Sequence, residues 1–286
     1  MIMLAVSQCL MGDNVRYDGK TKAHDFIIKR LAAVFDIRSI CPEVEIGLPV
    51  PRNPIQLVYC QGRIRATEVE DASADYTCQL QDHAQKLIPK LADISAYIFK
   101  ARSPSCGVGT TPVLHLQETR SGVFAAQIMA LHPWLPVVDE SALDEHNRRE
   151  QFIEALFCFA AYKKHLKKDK SKFVKQYGLR WALRTGQPVS MLENIPVSQF
   201  ESVFFTAMNM LVPEKQRRQR LIAGIKRNKA LFVDAEQDIE RLIDGLLATQ
   251  PVDVLIAIGK LARLVNNTHR ENYALPISPV EYALRC

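Results

Sequence analysis

The chain has little that would carry it into a membrane. None of its apolar runs approaches the roughly 20 residues that a spanning helix needs. No basic segment precedes an apolar stretch near its start, and Met1-Ile2-Met3-Leu4 reads as the opening of a strand. Its 7 cysteines are odd in number and lack tight spacing, which argues against a disulfide framework. Reduced thiols, a cytoplasmic location and no membrane partner are expected. The second half shows no repeat and no low-complexity segment.

What is there is an ordinary globular composition, 48% hydrophobic over 286 residues, long enough for two separate cores. The charge is unevenly spread. Up to His146 there are 14 Lys+Arg against 17 Asp+Glu, a net of −3; from there on there are 23 against 14, a net of +9. Such asymmetry points to a polyanion as partner of the second half.

The first half alternates strand and helix signals. Strands are expected at 2–8, 35–41, 94–100, 113–116 and 135–138, with helices at 23–34, 74–91 and 123–131. Leu57 to Thr67, turning at Gln61-Gly62, reads as a small hairpin. This rhythm implies an α/β fold with a mostly parallel, Rossmann-like sheet. After Asp139 the periodicity is helical throughout, with Ser141 as an N-cap and helices at 142–168, 171–185, 198–211, 214–232, 235–248 and 251–265. The expected organisation is therefore an α/β domain at 1–140 and an all-α, basic domain at 141–286.

Three cysteines sit where apolar strands run out. Cys9 follows Ile2–Val6, Cys41 follows Phe35–Ile40, and Cys106 lies in the turn after Ile94–Phe99. In an open parallel sheet the carboxyl ends of the strands gather ligands. Three thiols at one rim would hold a metal and leave one position open for chemistry. The plain alternative is that each is a small buried hydrophobe. Zinc fits less well than an iron–sulfur cluster, since no fourth ligand is recognisable. Cys60, Cys78, Cys158 and Cys286 read as structural.

Four segments carry a resemblance: Ser7-Gln8-Cys9-Leu10-Met11-Gly12, Val15-Arg16-Tyr17-Asp18-Gly19, Cys41-Pro42-Glu43 and Arg102-Ser103-Pro104-Ser105-Cys106-Gly107. In this order they resemble the 2-thiouracil desulfidase family. The resemblance implies a 4Fe-4S cluster held by Cys9, Cys41 and Cys106, whose fourth iron takes the sulfur of a thiolated pyrimidine. It implies hydrolysis without net redox change and release of sulfide. Carried over by motif, Glu43 and Ser103 are the catalytic candidates, and Asp18, Ser105 and Gly107 are candidates for the substrate side. The two-domain form resembles desulfidases of 4-thiouridine in tRNA, which makes tRNA the expected partner. Alternatives are a desulfidase of free thiouracil or a thiouridine nucleotide, and a non-enzymatic iron–sulfur RNA-binding protein.

The residue types suit that chemistry. Glu43, two positions from a thiolate, can aim a general base at the same substrate. Ser103 can hydrogen-bond the pyrimidine or relay a proton, and Gly107 permits close backbone approach. Glu43 is equally suited to a helix start after Pro42, and Ser103 and Asp18 to turns. In the second half, Lys163, Lys164, Lys167, Lys168, Lys170, Lys172 and Lys175 form one cationic group, and Lys215 to Lys229, with Arg217 and Arg218, a second. Helical spacing puts Lys164, Lys167, Lys168 and Lys175 near one face, expected either to track RNA phosphates or simply to meet solvent.

Overall fold

The computed structural model describes residues 2–166, 169–231, 236–247 and 257–262, together with Leu284. Contacts divide the chain into two packed units, Met1–Glu145 and His146–Cys286.

The strands of the first unit are β1 (Met3–Ser7), β2 (Asp36–Ile40), β3 (Ile55–Cys60), β4 (Arg63–Glu68), β5 (Ile94–Phe99), β6 (Thr111–Leu114), β7 (Thr119–Arg120) and β8 (Val137–Asp139). Its helices are α1 (Pro42–Glu45), α2 (Thr77–Leu87), α3 (Val123–Leu131) and α4 (Ser141–Asp144). One sheet is fully parallel, in the order β2-β1-β5-β8. Every residue of β5 is buried, as a parallel strand covered on both faces requires, and this accounts for its unbroken apolar run. From β1 the chain moves to β2 on one side and later to β5 on the other. The strand order therefore reverses between β1 and β5, the place where such sheets bind ligands.

The hairpin is present, but outside that sheet. β3 and β4 pair from Ile55↔Glu68 to Cys60↔Arg63, turning at Gln61 and Gly62 with φ of 50° and 76°. β6 joins β3 in parallel and β7 closes the row, giving a second sheet in the order β4-β3-β6-β7. The strand expected at 113–116 belongs here and stops at Leu114, because His115 turns left-handed at φ 68°. The helix expected over 23–34 is largely reduced to a π-helical turn, Ile27–Leu31, that buries its two ends. Ser141 is the first residue of α4 rather than its cap, which is Glu140, and the Ser141 N–H donates to Asp139 Oδ1 at 3.1 Å.

Among its described residues the second unit holds helices and their connections and no strand: α5 (His146–Ala161), a π-helical turn (Tyr162–Leu166), α6 (Lys170–Thr185), α7 (Ser190–Asn194), α8 (Val197–Asn209), α9 (Glu214–Arg227) and α10 (Glu236–Leu247). Its core is aromatic, with Phe173 packed edge-on to Tyr162, Phe200 and Phe204 at 4.8–5.7 Å. Two buried ion pairs cross it. Arg184 binds Glu154 at 3.0 Å and also donates to the carbonyls of Ala207 and Met210, satisfying the last turn of α8. Arg217 pairs with Glu150 and reaches Asn147 Oδ1 at 3.3 Å.

Candidate functional site

Each of the three cysteines is delivered by a different local device. After β1 the chain tightens into a short 3-10 helix, Gln8–Met11, ended by Gly12 at φ 103°. The Cys9 carbonyl is then held by Lys22 N–H at 2.9 Å and by the Thr21 hydroxyl at 3.1 Å. After β2, Cys41 stands as the N-cap of α1, with Pro42 at the first helical position, and accepts the Glu45 N–H at 2.9 Å. After β5, a compact loop carries Cys106. Ser103 closes it, its carbonyl accepting the Gly107 N–H at 2.8 Å and its Oγ accepting the Cys106 N–H at 3.0 Å.

That loop is fastened to the start of α3. The carbonyls of Pro104, Ser105 and Gly107 accept N–H groups of Val123, Ala125 and Gly122 at 2.8–3.0 Å. The approach is so close that a Cβ on Gly122 would stand 2.4 Å from the Ser105 carbonyl carbon and 2.7 Å from the Cys106 nitrogen.

The three thiols share one neighbourhood. Burial pushes the Cys9 thiol up to about 11, and Cys41 raises it further. Burial likewise raises Cys41, opposed by a hydrogen bond from the Val44 N–H. Cys106 is raised most strongly by burial, then by the charges of Cys41 and Glu43, with a hydrogen bond from Ser7 opposing. Every pair of the three thus interacts electrostatically. Unloaded, all three are thiols at neutral pH; a soft cation that claims them as thiolates must displace their protons.

All three line one cavity of about 670 Å³, together with Glu43, Ser103, Arg16, Tyr17, Lys22, Arg52, Lys100 and Arg102. Glu43 is held from two sides. Its Oε2 receives Arg52 Nε at 2.9 Å and Nη2 at 2.6 Å; its Oε1 receives the Ser105 hydroxyl at 2.8 Å. Lys100 pairs with Glu140, whose other oxygen takes the Ala101 N–H.

Several expectations change here. Ser105 is 0% exposed and does not line the cavity; it supports Glu43 rather than meeting a substrate. Gly107 is also buried, and a Cβ there would lie 2.1 Å from Thr111 Oγ1, so its role is to let the loop pack. Asp18 accepts the Lys20 N–H at 3.1 Å and pairs with Arg16 at 3.6 Å; it shapes a turn while Arg16 and Tyr17 face the cavity. Ser103 does line the cavity, yet its Oγ is already engaged by two backbone N–H groups. Arg52 and Lys100 are absent from the sequence expectations: Arg52 stands between Pro51 and Asn53, with no acidic neighbour in the chain to point to its pairing with Glu43. Cys60 and Cys78 are exposed, and Cys158 is buried in the second unit.

The residues suit a sulfide-rich cluster. Among the described residues, no three His, Cys, Asp or Glu side chains stand close enough to share a single metal ion. A cluster asks less, since each thiolate need only reach its own iron. Tyr97, fully buried in β5, has a hydroxyl with no hydrogen-bond partner, and the charges of Cys106, Glu45, Cys41 and Cys9 all act on it. Tyr97 does not itself line the cavity, but a buried donor with an unused proton on which those thiols act is compatible with an anionic, sulfur-rich guest nearby.

The second unit rearranges the expected basic surface. Arg217 is 4% exposed and spent on Glu150, so it is not part of any phosphate-tracking face. Arg218 is half-buried. The helix expected over 142–168 gives way to the π-helical turn at Tyr162, and α6 starts afresh at Asp169, whose side chain accepts the Lys172 N–H at 2.9 Å. Lys163 and Lys164 therefore do not share a continuous helix face with Lys175. Lys163 sits 5.7 Å above the Phe159 ring, and Lys164, Lys172, Lys175, Lys215 and Lys226 are exposed. Lys170 caps carbonyls of Glu193 and Ile195. Lys167 and Lys168 lie outside the described residues.

Comparison with known proteins agrees with the motifs. Residues 4–140 match the model of the 2-thiouracil desulfurase family, so the resemblance read from the sequence holds for this segment. Among solved structures, the 4Fe-4S-dependent thiouracil desulfidase TudS is similar at 28% identity over 50% of this chain and 94% of its own, with a TM-score of 0.41. No curated protein matched the chain. No helix of the described residues is long and apolar enough to cross a membrane.

Proposed function

We propose that the protein is a non-redox desulfidase that removes sulfur from a thiolated pyrimidine, with 4-thiouridine in tRNA as its substrate. The observation that carries this reading is the meeting of Cys9, Cys41 and Cys106 with the Glu43 carboxylate at one cavity, in the segment that matches the desulfurase family. Cys9, Cys41 and Cys106 would hold a 4Fe-4S cluster, which when bound supplies a Lewis-acidic iron for the thiocarbonyl sulfur.

The chain's own part is to deliver water and manage protons. Glu43 is held in place by Arg52, and Oε1 keeps an acceptor site beside its Ser105 bond. From there it takes a proton from the attacking water. Water adds to the carbon, the C–S bond breaks, oxygen replaces sulfur and sulfide departs, with no electron transferred. Ser103 and Ser105 fix the Cys106 loop and the carboxylate, so neither reorganises during the reaction.

The tRNA part of the reading rests on the +9 charge of the second half and on its exposed lysines. The target base would have to be turned out of its stack, at a cost of a few kcal/mol. The diversion of Arg217 into a buried pair favours a second reading, in which a free thiopyrimidine is the substrate. Anaerobically reconstituted protein is given 4-thiouridine tRNA or free 2-thiouracil, and sulfide is measured. Faster release from tRNA supports the first reading, release from the free base alone supports the second, and release from neither rejects both.

A further inference from the structure

We infer that Tyr17 is the surface on which the substrate's pyrimidine stacks. This rests on the desulfidase reading and adds to it the element that sets the plane of the base.

Tyr17 is unusual for an aromatic side chain that lines a cavity: 42% of it stays exposed. It is left out of the core, yet it is not left loose. Gly19, at φ 69°, donates to the Arg16 carbonyl at 2.9 Å, and the Lys20 carbonyl accepts the Arg16 N–H at 3.4 Å, closing a tight turn around it. Asp18 steadies Arg16 at 3.6 Å, and the Arg16 guanidinium lies 5.5 Å from the Tyr17 ring centroid. With a cation over one face, the other is where a planar ligand can lie.

The position is also registered against the base. The Tyr17 carbonyl accepts the Arg52 N–H at 2.9 Å, and the side chain of that same Arg52 grips Glu43. One residue therefore ties the stacking ring to the carboxylate, through its backbone on one side and its guanidinium on the other. A thiopyrimidine has few apolar atoms and a thiocarbonyl that must be presented edge-on. Gripping its flat face leaves that edge, and the carbon that water attacks, open to the thiol wall and to Glu43. Stacking of a base on an aromatic side chain is worth about 1–3 kcal/mol, which at about 1.4 kcal/mol per decade corresponds to roughly 5- to 150-fold in affinity.

The test uses full-length, reconstituted protein with 2-thiouracil and 4-thiouridine as probes, reading equilibrium Kd, KM, kcat and the fall in thiopyrimidine absorbance on stacking. Tyr17→Phe retains the ring and is expected within about twofold of wild type in Kd. Tyr17→Ala and Tyr17→Leu are expected to raise Kd and KM about tenfold and abolish the absorbance change, with kcat within about threefold and iron content unchanged. Wild-type Kd in the Ala and Leu variants overturns the inference, as does a loss in Tyr17→Phe equal to that in Tyr17→Ala, which would assign the effect to the hydroxyl. Wild-type protein that binds the probes with the absorbance change but releases no sulfide would reject the desulfidase reading and leave the stacking inference standing.

Discussion

Arg52 and Glu43 form a forked ion pair, 2.6 Å at its shorter arm, with side chains only 6% and 12% exposed. A carboxylate so enclosed would be costly to keep charged without that partner. The fork leaves Glu43 one orientation, with Oε1 turned to Ser105. Replacing Arg52 by Met should leave a buried, unpaired carboxylate, cost roughly 3–5 kcal/mol of stability and lower kcat. Thermal unfolding and sulfide release measured on one preparation check both.

Glu43→Gln preserves the shape of the side chain and removes its capacity to take a proton. The variant should load iron and show the visible absorbance of the wild type while losing about 100-fold or more in kcat. Full turnover in Glu43→Gln would remove this residue from the mechanism.

The thiols give a pH signature. Cys9 has its folded-state pKa raised from 9.0 to about 11. The contribution to the stability of unloaded protein is therefore fully present below pH 9 and is lost as the pH rises through 11. That loss is about 2–3 kcal/mol from Cys9 alone, at about 1.4 kcal/mol per pKa unit. Melting temperatures of unloaded wild type should fall across that window, and those of Cys9→Ala should fall less. Cluster loading, which releases the same protons, should strengthen with pH.

Tyr97 offers a change of sign between two states. Without a guest its buried hydroxyl is unpartnered, so Tyr97→Phe should stabilise unloaded protein by roughly 1 kcal/mol or more. In loaded protein the hydroxyl is expected to find a sulfur acceptor, in which case the same substitution should destabilise the loaded form instead. Equal effects on both forms would show that the hydroxyl does not meet the cluster.

In the second unit, Lys164, Lys172 and Lys175 are exposed, whereas Arg217 is buried. The triple Ala variant of the lysines should weaken tRNA binding and flatten its dependence on salt without changing the melting temperature. Arg217→Ala should do the reverse, destabilising the unit by several kcal/mol. Gel shifts at two salt concentrations separate them.

The three thiols were readable because each closes an apolar run, and a run of that kind marks a strand end without any knowledge of the fold. The parallel sheet was readable for the same reason. Ser103 and Ser105 were harder. Neighbouring positions of a tight loop point in different directions, and only coordinates show that Ser105 turns inward to Glu43 while Ser103 caps the loop. Arg217 looks like any cation of a basic helix; its burial depends on Glu150, 67 positions away in the chain. The break in the lysine face follows from the Asp169 cap, a local signal that the run of lysines on either side obscured.

The fastening of the Cys106 loop to Gly122 at the head of α3 has a consequence for maturation. Cys9, Cys41 and Cys106 come from strands that are neighbours in space but remote in sequence, so no nascent segment presents them together. Closing those long loops is expected to come first, with the Cys106 loop settling as α3 docks against it. A guest is then expected to be received by a finished fold rather than to template it, unlike the ions that nucleate small metal-binding domains. Unloaded protein should accumulate as a stable, acceptor-competent form, and a carrier that delivers iron and sulfide to it would meet a site already built.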